Sequence, residues 1–168
     1  LQQAIAQGAP PPPVLLLLGA AYALGGDDKG AIAAWNESRE GGIDDASVAV
    51  LLVDAYMRQG DVKRAAAMAQ AALDSQPDNA EARRGLAGTL IATRQYDQAL
   101  TLLGQPAPSD QDSTFLVLHA LYAGIVERSG PGATADGRSR FLAGAEAYIA
   151  GNGRQQELVR AWRDAVTA

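Results

Sequence analysis

His119 is the only histidine in a chain of 168 residues that contains no cysteine. A lone imidazole does acid–base or metal chemistry only where other groups converge on it, and the chain carries no HExxH pair, no GxSxG elbow and no P-loop. Without thiols there is no disulfide framework, thiolate nucleophile or Cys-ligated metal. The glycines of Ser129-Gly130-Pro131-Gly132 suggest a phosphate loop, but the lysine and the helix phase such a loop needs are missing, so the stretch is expected to be a flexible connection. Asn36-Glu37-Ser38 matches a glycosylation sequon but falls on a helix with a buried face, where a chance match is the simpler reading. His119 is expected to be a packed helix residue. No catalytic residues, metal or cofactor are expected, and an enzyme is only a remote alternative.

The carboxylates Asp27, Asp28, Asp44, Asp45, Asp61, Asp78, Asp110 and Asp112 all adjoin predicted helix starts. There a negative side chain meets the free N–H groups and the positive end of the helix dipole. A net charge of -5 with no basic stripe argues against a phosphate backbone, so no nucleic-acid partner is expected. At 48% hydrophobic and 20% charged the chain can bury a sizeable core. Its Ala- and Leu-rich segments favour helix throughout. VLLLLGAAYAL, residues 14–24, falls short of the roughly 20 apolar residues of a membrane span, so no membrane insertion is expected. LQQAIAQGA at the start has no Lys or Arg and therefore lacks a signal-peptide n-region. Cytoplasm and bacterial periplasm or cell envelope are both compatible with this composition, and the compartment stays open.

The organising feature is a repeat. LGAAYALGGDDKGAIAAW begins at Leu18, LVDAYMRQGDVKRAAAMA at Leu52 and LAGTLIATRQYDQALTLL at Leu86, an offset of 34 residues each time. Such a period with two helices per unit resembles the tetratricopeptide repeat (TPR). Leu15, Leu18, Gly19, Tyr22, Ala31, Trp35 and Ser38 follow its pattern in the first copy. Ala49, Leu52, Val53, Tyr56, Ala65, Ala69, Ala72 and Pro77 do so in the second, and Arg83, Leu86, Ala87, Leu90, Ala99 and Leu103 in the third. After a two-residue slip Phe115, Leu118, His119 and Tyr122 begin a fourth.

The resemblance implies an all-α, right-handed superhelical solenoid of helix-turn-helix repeats, read as a single domain over 1–168. Its parts are a remnant of a preceding repeat (1–9), repeats at 12–45, 46–79 and 80–111, a degenerate fourth repeat at 112–150, and a capping helix at 153–167. Helices are predicted near 12–25, 28–41, 46–59, 62–75, 80–93, 96–104, 112–128, 137–150 and 153–167, with a loop over 129–137. Leu158, Ala161, Trp162, Ala165 and Val166 are expected to form the inner stripe of the cap. Small residues let paired helices approach, while Tyr22, Trp35 and Tyr56 are expected to fill the space between repeats. The resemblance further suggests the C-terminal TPR region of a larger, bacterial protein.

In this family the first helices line a concave groove. The implied rows are Pro13, Leu16, Ala20 and Ala23; Ser47, Val50, Asp54, Met57 and Arg58; Glu81, Arg84, Gly88 and Ile91; and Ser113, Leu116, Ala120 and Ala123. Leu16, Ala20, Val50, Asp54, Met57, Arg58, Glu81, Arg84, Gly88, Ile91 and Leu116 are the partner-binding candidates, with Leu16, Met57 and Ile91 giving apolar contact. The set lacks the Lys and Asn with which some family members grip a C-terminal carboxylate. The expected function is a protein-binding adaptor or scaffold, gripping an extended or helical protein or peptide segment. The alternative is a self-assembly module, associating through an apolar N-terminal face.

Overall fold

The computed structural model describes residues 8, 10–43, 46–104 and 110–168. The chain packs as two compact units, Leu1–Gly85 and Leu86–Ala168, so the division falls inside the third repeat. The first unit contains α1 (Pro12–Leu24), α2 (Asp28–Glu40), α3 (Ala46–Arg58) and α4 (Val62–Ser75). Helix α5 (Ala80–Ala92) crosses the division. The second unit continues with α6 (Tyr96–Leu103), α7 (Gln111–Glu127), a 3-10 turn (Pro131–Ala133), α8 (Ala135–Ala150) and α9 (Gln156–Thr167). Among the described residues every regular element is helical. In the first unit α1 packs on α2, α2 on α3 and α3 on α4; in the second, α6 packs on α7, α7 on α8 and α8 on α9. This is an all-α helical-repeat fold. The remnant repeat expected at 1–9 falls, apart from Gly8, outside the described residues, as do Asp44 and Asp45.

The 34-residue period reappears in the backbone. Asp27 N–H donates to the Tyr22 carbonyl and Gly26 N–H to that of Ala23; Asp61 and Gly60 do the same to Tyr56 and Met57, and Gln95 and Arg94 to Leu90 and Ile91. Each is a paired closure that satisfies the orphan carbonyls at a helix end. It requires one residue in the left-handed region, filled by Gly26 (φ 79°), Gly60 (φ 74°) and, in the third copy, Arg94 (φ 63°). The next helix is then capped: Asp27 Oδ1 accepts from Gly30 N–H at 2.9 Å and Asp61 Oδ1 from Arg64 N–H at 3.2 Å. At the third turn Gln95 makes no such cap. Between the second and third repeats Asn79, rather than Asp78, caps α5 by accepting from Ala82 N–H at 2.9 Å. Asp110 caps α7 and Thr134 caps α8 in the same way.

Side-chain packing repeats too. Ala31, Ala65 and Ala99, one per copy, are fully buried, which lets each second helix lie close against its first. Trp35 packs over Gly19, where a Cβ would fall against Nε1, Cδ1 and Cε2 of the indole. Its Nε1–H donates to the Leu16 carbonyl at 3.1 Å, and one turn on the Ser38 hydroxyl donates to the Pro12 carbonyl at 2.8 Å. Both buried polar groups are thereby satisfied, which removes the desolvation penalty of an unmade bond. Tyr56 is buried as expected, but Tyr22 is 38% exposed and so only partly fills its place.

Three expectations for the C-terminal part need correction. The stretch after Arg128 is not a loose connection: Gly132 and Gly137 are buried, and a Cβ on Gly132 would strike the Leu121 carbonyl and the backbone of Gly124. Glycines here allow backbone to rest on backbone, a contact that composition alone makes look like flexibility. The cap begins at Gln156, not 153, so Arg154 lies in the turn before it. Its inner stripe is Val159, Trp162 and Val166, packed on the core of the second unit, whereas Leu158 and Ala165 face solvent.

Candidate functional site

The candidates of the first unit lie on α1, α3 and the start of α5. Leu16 and Ala20 are half-buried on α1; Val50 and Met57 are half-buried on α3, with Val50 packed against Ala46, Ala49, Ala72 and Ala82. Asp54, Arg58 and Glu81 are exposed, and Arg84 is half-buried.

The charges do not pair as their sequence spacing suggests. Arg58, one helical turn from Asp54, turns instead to Asp28 on α2, donating from Nε at 2.8 Å and from Nη2 at 2.7 Å to the same oxygen. Asp28 sits in the first turn of its helix and Arg58 in the last turn of α3, so each also complements a helix dipole. Donation to Asp28, ahead of the opposing effect of burial and the smaller electrostatic contributions, raises the guanidinium pKa. Although the residue as a whole is exposed, the Asp54 carboxyl is pushed above the ordinary range, first by its partial burial, with the opposing pull of Arg58 next and the weaker repulsion of Glu81 last. Asp54 on α3 thus feels both Glu81 on α5 and, more strongly, Arg58, whose hydrogen bonds go to Asp28.

In the second unit the candidates fare differently. A Cβ built on Gly88 would meet nothing within 4 Å, so that position opens onto free space. Ile91 does not: at 7% exposure it belongs to the core with Leu100, Leu118 and Leu121, and it is unable to offer contact to a ligand. The row on α7 also turns inward, with Ser113 and Ala120 buried and Leu116 packed on the same core. The row already allows for the two-residue slip before this repeat, yet these positions face the core that α7 shares with the helices packed on it.

His119 is packed, as expected. It stacks on Trp162 with ring centroids 5.4 Å apart and planes 23° apart. Trp162 also stacks on Tyr122 at 4.9 Å and on Phe115 at 5.4 Å, so three rings of α7 receive one indole from the cap. Burial lowers the imidazole pKa. One feature escaped the sequence: an open cleft of about 180 Å³ lined by Arg94, Gln95, Tyr96, Asp97, Ser129 and Gly130. It lies below the roughly 300 Å³ at which small-molecule sites begin. Burial, then a hydrogen bond to Glu127, holds the Tyr96 hydroxyl protonated at its edge. Among the described residues no three His, Asp or Glu side chains gather to hold a metal, and no helix is long and apolar enough to cross a membrane.

Residues 56–123 match the tetratricopeptide repeat family, a stretch that runs from the last turn of α3 through α4, α5 and α6 into α7. Among solved structures the chain is similar to MamA residues 41 to the end from Desulfovibrio magneticus RS-1, at 18% identity and a TM-score of 0.62 over 95% of this chain and 94% of that one. A MamA RS-1 double mutant gives 18% identity and a TM-score of 0.63 over 95% and 94%, and MamA AMB-1 gives 17% and 0.54 over 91% and 96%. At these identities the likeness is one of fold. No curated protein sequence matches the chain.

Proposed function

We propose that the chain is a protein-binding scaffold whose ligand is an extended or helical protein segment carrying a Lys or Arg beside apolar side chains. Its docking surface is the first-helix face of the first unit. The observation that carries the reading is the placing of the charges: Arg58 gives its hydrogen bonds to Asp28, and Asp54 feels the repulsion of Glu81 as well as the stronger pull of Arg58. A cation from a ligand relieves that repulsion, and charges amid apolar surroundings set register and exclude wrong partners more than they add affinity. Leu16, Val50 and Met57, each half-exposed, supply apolar contact. A helical-repeat fold that matches the tetratricopeptide repeat family agrees with protein binding.

Selection of a random displayed-peptide library on the intact protein tests this. Enriched peptides should carry a basic residue flanked by apolar ones. They should lose at least about tenfold in affinity to an Asp54→Lys/Glu81→Lys variant of unchanged circular dichroism. Peptides that bind wild type and variant alike would move the site off this face.

A further inference from the structure

Helix α1 presents an apolar face that its counterpart one repeat later does not. Leu17 is 68% and Leu24 92% exposed, with Ala21 exposed between them. At the equivalent positions of α3, Leu51 is 37% exposed, Ala55 is fully buried, and the third place is taken by the ion-paired Arg58. In the second repeat this face is packed on α2 and ends in a charge; in the first it is more apolar where it is less covered. Solvent alone selects the reverse pattern.

We propose that this face of α1 docks on the same face of a second copy, in an antiparallel pair about a two-fold axis beside Ala20 and Ala21. Three observations select that occupant. Leu17 and Leu24 are two helical turns apart, about 10.5 Å along the axis, and the midpoint between them falls at Ala20–Ala21. A two-fold axis there seats Leu17 on Leu24 of the partner subunit, and Leu24 on Leu17 of the partner subunit, with only small side chains at the crossing. Second, α1 carries no charged residue from Pro12 to Leu24, so self-pairing brings no like charges together. Third, an acidic turn, Asp27-Asp28, follows the helix and a proline run precedes it. The antiparallel sense places each acidic turn beside uncharged prolines, whereas a parallel pair would set four carboxylates side by side. A patch that is its own complement gives a closed two-fold dimer rather than an open filament.

The pairing does not rest on the ligand reading above, because Asp54 and Glu81 play no part in it. Sedimentation equilibrium of the whole chain from micromolar to millimolar should show a reversible dimer. Leu17→Lys and Leu24→Glu, both at exposed positions, should each weaken it by about tenfold or more, and the double variant should recover most of the loss because opposite charges then face each other. With no other cysteine in the chain, Ala21→Cys should cross-link on mild oxidation, while Leu158→Cys, equally exposed but on α9, should not. A wild type monomeric at millimolar concentration, a double variant as monomeric as the singles, or equal cross-linking at both cysteines would each overturn the proposal.

Discussion

Replacing Arg94-Gln95 by Gly-Asp restores at the third turn what the first two repeats already have, and should stabilise the second unit. Arg94 holds φ 63° where Gly26 and Gly60 occupy the same place in the closure. A side chain in that region costs about 1–2 kcal/mol, and glycine returns about 0.5–1 kcal/mol of this through its greater freedom when unfolded. An aspartate cap contributes about 1 kcal/mol, where Gln95 now only donates to the Thr93 hydroxyl at 2.8 Å. Against the change stands the Arg94–Glu127 pair, 3.5 Å apart with the Arg side chain 75% exposed, worth at most about 0.5 kcal/mol. The balance is a gain of roughly 1 kcal/mol for the double variant, more than half of it from Gln95→Asp. Urea unfolding followed by Trp162 emission, in a Trp35→Phe background so that only the cap reports, measures it directly. A double variant no more stable than its parent would refute the view that this turn is a weakened copy of the other two.

Trp35→Ala should cost on the order of 3–5 kcal/mol, since it empties a fully packed site; a chemical-denaturation midpoint that barely moves would mark the indole as peripheral. Gly19→Ala should destabilise by about 1–3 kcal/mol despite the better helix propensity of alanine, because the new methyl strikes the Trp35 ring. Combining it with Trp35→Leu should recover part of that loss in a double-mutant cycle. The His119 pKa is lowered in the folded chain, so the unfolded state holds more protons as pH falls through the unfolded value of about 6.5 toward the folded one. Stability should therefore decline as pH drops through that window, and His119→Leu should flatten this part of the profile in urea midpoints measured at successive pH values.

The helix order and most helix ends were legible because the chain spells them out locally: Gly-Asp at two turns, Pro77 and Asn79 at another, and an alanine every 34 residues where helices touch. The site was legible only in part. Which residues share the first-helix face follows from spacing while the repeat is regular, as at Val50, Asp54 and Gly88, and fails in the degenerate fourth repeat, as at the buried Ala120. Ile91 fell on the wrong side because the core of the second unit closes over it. No local rule sends Arg58 to Asp28 rather than Asp54, since that choice is made by the crossing of α2 and α3. The glycines at 132 and 137 were misread as parts of a loop for a related reason, as their contacts join segments that only the folded chain brings together.

The turn that ends α8 bears on how the protein ages chemically. Asn152 sits at φ 60° and is followed by the buried Gly153, whose N–H donates to the Tyr148 carbonyl at 3.1 Å. An asparagine before glycine is the sequence most prone to deamidation, in which the glycine nitrogen attacks the carboxamide, ammonia leaves and a succinimide opens to aspartate or isoaspartate. Here that nitrogen is hydrogen-bonded in the helix closure, and the Tyr148 ring lies where a side chain on Gly153 would be, so the reaction waits for the turn to open. Isoaspartate at this position is therefore a clock that runs only while the C-terminal cap is undocked.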